Sequence, residues 1–195
     1  MGYVGANESS TLFGWRIYAE ALRRGLGQAI TVVVLTDGHR YNRTSTLTHF
    51  PRTVHFVNLF YAWEHLTLMA QSLRSPKAES PPKKTWRDLL ETGDIGQLVG
   101  KAGRDLPGAP EAGKALSKEL GYFENNASCM RRAEYRERLF FVGSGVVEPG
   151  CRTVIGERLK QSGMRWSVRG ANAIIALRCC IISGRFEDIG ASCSG

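Results

Sequence analysis

Two carboxylates in this chain of 195 residues stand where an acid can be held for metal chemistry. Asp37 follows the β-branched run of residues 30–35 and precedes Gly38. Glu148 follows the glycine turn of residues 143–145, at the start of a predicted helix. Phosphodiester cleavage and transfer use two divalent metal ions about 3.5–4 Å apart, which carboxylates can hold. An acid at a strand end and a later acid on a helix are the parts from which a two-metal site can be assembled, which makes Asp37 and Glu148 candidates for catalytic and metal-binding residues.

Each acid also has an ordinary structural explanation. Asp followed by Gly is common in turns, so Asp37 can be a turn residue without any metal. A glutamate in the first turn of a helix interacts favourably with the helix dipole, so Glu148 can be a capping residue. The two positions taken alone leave both explanations open.

The elements that must position these acids are helices alternating with strands in the first half of the chain. The spacing of apolar residues predicts a strand buried on both faces over residues 30–35 and a second strand over 54–59. It predicts helices over residues 12–26, 41–49 and 60–73. This alternation predicts an α/β fold that contains a parallel pair of strands.

The second half of the chain is predicted to be helical. Short helices with irregular connections are expected over residues 86–121, and helices over 124–138, from Glu148 to 161 and over 168–182. The predicted divisions are a partial core with Asp37 (residues 1–74), a linker and helical insertion (75–121), the remainder of the core with the Glu148 helix and basic C-terminal helices (122–188), and a tail (189–195).

The charge favours a polyanionic partner. The formal net charge is +8, and residues 131–178 hold ten basic residues against four acidic ones. Phosphate contacts provide much of the affinity of DNA-binding proteins, so this segment is a candidate DNA surface. The alternative is that the charge only keeps the protein in solution.

Five residues of this basic segment are candidates for DNA contact. The cations are suited to the phosphate backbone and the indole to stacking on a base. For Arg152 an ion pair with Glu148 one turn earlier is an equal alternative, and Trp166 can equally be a core or lid residue. The candidates are Arg152, Lys160, Arg165, Trp166 and Arg169.

Cysteine and histidine usage indicates neither zinc nor disulfides. The five cysteines are odd in number and lack C-x-x-C spacing, which favours a reducing compartment. The four histidines lack ligand spacing, and only His39 lies near a predicted site residue. No signal peptide and no apolar run of about 18–20 residues is evident. We therefore expect a cytoplasmic or nucleoid-associated protein without a membrane segment.

Three blocks of sequence carry a more specific pattern. The first is GWRIYAEALRRG at residues 14–25, followed by VVVLTDG at 32–38. The second is NLFYAWEHL at residues 58–66. The third combines YFENNA, YRER, GSGVVE, GMRW and GANAIIALR between residues 122 and 178. Together these blocks resemble the DDE class of insertion-sequence transposases over nearly all of residues 3–188.

The resemblance implies an incomplete RNase H-like core with a helical insertion before the glutamate-bearing helix. It implies that Asp37 is the second and Glu148 the third acid of the catalytic triad. The implied cofactor is Mg²⁺ or Mn²⁺, and the implied partner is DNA at the ends of an insertion sequence. The implied activity is metal-dependent DNA cleavage and strand transfer.

The chain departs from the family pattern in ways that lower the expected activity. In the family the first catalytic aspartate precedes the matched region, so the resemblance implies the C-terminal portion of a transposase, with impaired cleavage. Asn58 stands where the family shows Asp, and Tyr61 where it shows His. Absent strands would leave unpaired ladder groups, so reduced stability or self-association into a homo-oligomer is expected. These departures indicate a truncated or degenerate transposase, with a non-catalytic basic DNA-binding remnant as the alternative.

Overall fold

A computed structural model describes residues 2–72, 84–104, 110–138 and 150–187 of the chain. Within these residues, helices predominate and two strands form one small sheet, an arrangement of the α/β type. In chain order the elements are α1 (Ser10–Arg23), β1 (Val33–Thr36), α2 (Arg40–His49), β2 (Val54–Val57), α3 (Leu59–Ser72), α4 (Lys84–Thr92), α5 (Ile95–Gly103), α6 (Pro110–Asn126), α7 (Arg132–Glu137), α8 (Glu157–Leu159) and α9 (Val168–Ile182).

Three tighter or wider turns accompany these elements. Short 3₁₀ turns occupy Leu26–Gln28 and Ala127–Cys129. A π-helical turn at Arg152–Gly156 runs directly into α8. This turn belongs to the helix that the sequence predicts to begin at Glu148, but Glu148 itself lies outside the described residues.

The two strands pair in parallel, as the sequence predicts. Val33 is opposite Val54 and Thr36 is opposite Val57, and α2 provides the crossover. The prediction that the first strand is buried on both faces is wrong. Val33 is 39% exposed, and the other three residues of β1 are only half-buried. A β-branched run also suits a half-exposed strand, and the described residues give β1 a strand neighbour on one edge only.

The chain forms two compact units, each assembled from non-contiguous segments. The sheet unit comprises Thr31–Thr44 and Arg52–Gly143. The terminal unit comprises Met1–Ile30, Ser45–Pro51 and Ser144–Gly195. The divisions predicted from the sequence are contiguous and end at other positions.

The core of the sheet unit lies among helices α3 to α6. Asp94 caps α5 by accepting a hydrogen bond from the Gln97 amide, and Gly93 makes the preceding turn with a φ of +84°. This turn lets α4 and α5 bring their apolar faces to one core. The largest fully buried side chains of that core include Trp86, Phe123, Leu66, Met69, Leu90, Leu98 and Leu116.

The helical structure predicted over residues 124–138 is present for most of that stretch, but it is interrupted. Helix α6 ends at Asn126, a 3₁₀ turn follows, and α7 begins only at Arg132. The turn buries Cys129 and Met130 against the sheet-unit core, so burial of two apolar side chains outweighs helix continuity here. Helix α6 is also longer than the short helices expected before residue 121.

The terminal unit has a smaller core made by α9 and the π-helical turn. Val154, Ile175 and Cys179 are buried there, and Tyr3 packs against them. The predicted helix over residues 168–182 is confirmed by α9, which has the same bounds. The helix begins at Val168 because Ser167 caps its first turn by accepting a hydrogen bond from the Gly170 amide. Helix α1 in the same unit buries only Gly14, so its predicted apolar stripe is not a core face.

Candidate functional site

Asp37 lies directly after β1, at the carboxyl end of the parallel strands. Its Oδ1 atom accepts hydrogen bonds from the His39 amide at 2.7 Å and from Asn42 Nδ2 at 2.8 Å. Its Oδ2 atom accepts no hydrogen bond from the described residues. The first bond is an Asx turn that starts α2, which is a structural role for this carboxylate. The same two bonds also fix the carboxylate and leave one oxygen available to a ligand.

The turn that carries Asp37 is closed from α6. Tyr122 donates a hydrogen bond of 2.8 Å from its hydroxyl to the backbone carbonyl of Asp37. Asn126 donates one of 3.0 Å from Nδ2 to the carbonyl of Gly38. Gly38 is buried with a φ of +82°, and a Cβ atom there would lie 2.8 Å from the Tyr122 hydroxyl. Only glycine combines this backbone conformation with this close approach.

Tyr122 is held in turn by a histidine–carboxylate pair. The His65 ring stacks on the Tyr122 ring with 3.5 Å between centroids. His65 Nδ1 donates to Glu119 Oε2 at 2.6 Å, and Glu119 is only 5% exposed. Burial raises the pKa of Tyr122, and the nearby carboxylates Asp37, Glu119 and Glu64 raise it further. Tyr122 is therefore a phenol at any physiological pH and a permanent donor to the Asp37 carbonyl.

Asn126 keeps one buried polar atom without a partner. Its Nδ2 atom donates to the carbonyls of Gly38 and Tyr122, at 3.0 Å and 2.9 Å. Its Oδ1 atom has no hydrogen-bond partner among the described residues, although Asn126 is only 2% exposed. Such an atom is costly, so its retention indicates that the donor contact from Asn126 to the Gly38 carbonyl of the turn matters.

Asn58 follows β2, beside Asp37, but the oxygen of its side chain already accepts a hydrogen bond within the protein. Its Oδ1 atom accepts a hydrogen bond of 3.0 Å from the Phe60 amide and so caps α3. Its own amide donates to the Thr36 carbonyl at 2.8 Å, which continues the ladder of the parallel strands. Asn58 is 3% exposed, so its role in the described structure is to end β2 and begin α3.

The described residues bring one fixed carboxylate to the end of β1 but not a complete ligand set. No group of three His, Cys, Asp or Glu side chains among them could hold a metal ion. Glu148, the predicted partner of Asp37, lies outside the described residues. Divalent magnesium takes about six oxygen ligands. An ion bound at the free oxygen of Asp37 would therefore complete its coordination with water, substrate or residues outside the described ranges.

The five candidate DNA contacts all belong to the terminal unit, and all are exposed. Trp166 is 40% exposed, so it is not a core residue. The cations Arg152, Lys160, Arg165 and Arg169 make no ion pair with any described residue. Arg152 lies on the π-helical turn, and its alternative partner Glu148 is outside the described ranges.

Other cations of the same segment are already neutralised locally. Arg178 donates to the Thr153 carbonyl and to Glu157, and Arg131 and Arg138 both pair with Glu134. The count of basic residues in the sequence therefore overstates the charge that is free to meet a phosphate.

Sequence reasoning missed the residues that hold the Asp37 turn. Asn42 and His65 gave no signal, because nothing in the spacing connects them to Asp37. Tyr122 and Asn126 stand in the YFENNA block. Their four-residue spacing is that of one helix face, and that periodicity was the available signal.

Comparisons with known proteins add no relative to this description. No protein-family model, no curated protein and no solved structure matches the chain. In the part of the chain that the structure describes, no helix is long and apolar enough to cross a membrane.

Proposed function

We propose that this chain is a DDE transposase-like protein with an RNase H-like core. Its proposed family activity is magnesium- or manganese-dependent DNA cleavage and strand transfer. Asp37 would be a metal ligand, Glu148 the second acid that the sequence offers, and the exposed cations of the terminal unit the DNA contacts. The partner would be DNA at the ends of an insertion sequence.

The observation that carries this proposal is the position of the Asp37 carboxylate and the hydrogen bonds that it accepts. The carboxylate stands at the carboxyl end of a parallel strand, where open α/β sheets bind their ligands. One oxygen is fixed by His39 and Asn42, while the other accepts nothing from the described residues. Tyr122, 85 positions later, fixes the backbone of Asp37 through the hydrogen bond to its carbonyl, which holds the acid in place without occupying its carboxylate.

Strand transfer in the resembled family uses three acids, and this sequence matches two of them. The second candidate function is DNA binding without catalysis. It is favoured by one specific observation, the exposure of Arg152, Lys160, Arg165 and Arg169 without ion pairs to described residues.

Nicking of supercoiled plasmid in Mn²⁺ tests the first candidate. We expect slow nicking by the wild-type chain and none by Asp37→Asn or Glu148→Gln. Asp37→Asn is the informative variant, because an amide oxygen can still accept the hydrogen bond from the His39 amide. Asp88→Asn is its matched control, since Asp88 is an exposed acid on α4 of the same unit.

Fluorescence anisotropy with labelled duplex DNA, titrated with salt, separates the two candidates. Four phosphate contacts give a slope of log Kobs against log salt of about −3 to −4. Steep salt dependence without nicking in any variant supports the non-catalytic candidate. Nicking that persists in both Asp37→Asn and Glu148→Gln would rule out the assigned acids.

A further inference from the structure

A second group of chemically competent side chains lies in the sheet unit, apart from the Asp37 carboxylate. The imidazole of His55 connects a hydroxyl and a thiol. His55 Nε2 is 2.8 Å from Thr36 Oγ1, and His55 Nδ1 is 3.5 Å from Cys129 Sγ. Nothing in the sequence suggests this group, because Cys129 is 74 positions away from His55.

The parallel register explains why the three side chains meet. His55 is opposite Val34, and Thr36 is opposite Val57, so Thr36 and His55 are diagonal neighbours on one face of the strand pair. The 3₁₀ turn after α6 brings Cys129 to the far side of the imidazole. The order thiol, imidazole, hydroxyl is the order of a nucleophile, its base and a group that orients the base.

The hydrogen bonds accommodate the tautomer of His55 that carries its proton on Nε2. Thr36 Oγ1 accepts from the Gly38 amide at 3.3 Å and has a second lone pair that can accept from His55 Nε2. In this tautomer Nδ1 is the acceptor that faces the thiol of Cys129. Burial lowers the pKa of His55, and the Arg43 charge lowers it further, so at neutral pH the imidazole is uncharged and able to take a proton.

We propose that Cys129 is a covalent modification site for small uncharged activated alkenes, with His55 as its general base and Thr36 as the residue that positions His55. The thiol proton passes to His55 Nδ1 as the sulfur forms a bond to the β-carbon of the alkene. The π electron pair moves to the α-carbon, which then receives the proton. The addition has no leaving group and needs no oxidant or reductant.

The size limit on the electrophile follows from burial. Cys129 is 7% exposed, so only a small molecule can reach the sulfur without opening the unit. The charged and titratable groups that face the pair are Arg43 from α2, beside His55, and Tyr135 from α7, beside Cys129. Burial raises the pKa of Tyr135, so at neutral pH it stays uncharged and does not compete with His55 for the proton. The proposal does not depend on the DNA function.

The test measures acrylamide addition to the full chain between pH 5.5 and pH 9, with quantification of tryptic peptides by mass spectrometry. Cys129 is the only cysteine in the peptide 119–131, and Cys151 the only one in 139–152. Cys151 is exposed and has no imidazole partner among the described residues, so it serves as the internal control.

For the wild-type chain we expect the Cys129 rate to be nearly level from pH 7 to pH 9 and to fall only at acid pH, below the range in which an ordinary imidazole becomes charged, because burial and Arg43 lower the pKa of His55. In His55→Asn the rate at pH 7 should fall about tenfold, because the base is lost. The rate in that variant should instead rise steadily with pH up to pH 9, because no neighbouring base remains to take the thiol proton. The Cys151 rate should not change.

Because His55→Asn could react slowly only through loss of folding, Thr36→Val provides a second and milder test. It keeps the shape of the side chain but removes the acceptor for His55 Nε2, and we expect a slower Cys129 reaction that Thr36→Ser restores. Three results would each overturn the proposal: no adduct at Cys129 while Cys151 is fully modified, a Cys129 profile with the pH dependence of Cys151, or equal Cys129 rates in the wild-type and Thr36→Val chains.

Discussion

The hydroxyl of Tyr122 donates a hydrogen bond of 2.8 Å to the backbone carbonyl of Asp37, 85 positions earlier in the chain. The contact joins α6 to the end of β1, which is the point where the sequence predicts chemistry. It fixes the backbone of the acid rather than its carboxylate. The side chain of Asp37 therefore keeps its free oxygen while its position is set by the core of the sheet unit.

Tyr122→Phe should destabilise the sheet unit by about 1–2 kcal/mol, since a part-buried carbonyl loses its donor while the ring remains. The measurement is denaturant unfolding followed by circular dichroism. Tyr41→Phe is the matched control, because Tyr41 is 50% exposed, and its cost should stay within about 0.5 kcal/mol. Equal effects of the two variants would mean that the bond to Asp37 contributes nothing.

Gly38→Ala should destabilise more strongly, by at least about 2 kcal/mol. A φ of +82° costs alanine about 1 kcal/mol, and the added methyl group meets the Tyr122 ring, with the hydroxyl at 2.8 Å and Cε2 at 2.9 Å. The double variant Gly38→Ala/Tyr122→Leu isolates the cost of the contact between the added methyl group and the Tyr122 ring. Its cost should be lower than the sum of the two single variants, and strict additivity in thermal or denaturant unfolding would argue against the clash.

The terminal unit should lose stability in acid through Glu20. Hydrogen bonds from Arg23 and Arg24, together with the charge of Arg185, lower the pKa of Glu20 to about 2 against the opposing effect of burial. A lowered pKa contributes stability above the unfolded value of 4.5, and that contribution disappears as the pH falls from 4.5 through about 2. Glu20→Gln should lower the free energy of unfolding by about 1 kcal/mol at neutral pH. It should also make that free energy less dependent on pH between about 2 and 4.5.

Melting temperatures of the Glu20→Gln and wild-type chains between pH 2 and pH 7 test this prediction. Glu187→Gln is the control, since Glu187 is exposed and has no ion pair among the described residues. The plot of melting temperature against pH for Glu20→Gln should converge with the wild-type plot near pH 2. The plot for Glu187→Gln should stay parallel to the wild-type plot. A constant offset between the Glu20→Gln and wild-type curves at every pH would contradict the ionic explanation.

Arg165→Ala should weaken DNA binding uniformly across sequences and reduce the magnitude of the salt slope by about 1, the signature of one lost phosphate contact. Lys101→Ala removes the same charge from an exposed position on α5 and should leave the slope unchanged. Anisotropy titrations at four salt concentrations measure both slopes. Identical slopes for the two variants would mean that net charge alone, and no particular surface, governs binding.

The sequence predicted elements well where local signals agree with packing. Helix α9 is predicted over its observed bounds from its strongly apolar run, and the structure adds a serine cap before it and Gly184 after it with a φ of +69°. The parallel pair was predicted because a short helix separates two β-branched runs. Both depend on interactions among residues close in sequence.

Predictions failed where distant contacts decide the structure. The helix over residues 124–138 breaks because Cys129 and Met130 enter a core built largely by other helices. The brace on Asp37 and the group of Thr36, His55 and Cys129 were missed for the same reason, since each joins residues more than 70 positions apart. The position of Asp37 directly after a strand was predicted, because an acid that follows a β-branched run is a local signal.

The brace on the Asp37 turn also sets an order of events during protein synthesis. The strands β1 and β2 and their crossover helix leave the ribosome well before Tyr122 and Asn126, which lie 85 and 88 positions beyond the carbonyls they contact. Contacts at such separations form late, because a long loop must close before they can stabilise anything. A defect at Tyr122 or Asn126 would thus appear as slow maturation of the Asp37 turn, and nascent chains released before residue 126 would carry Asp37 on a turn without these two hydrogen bonds.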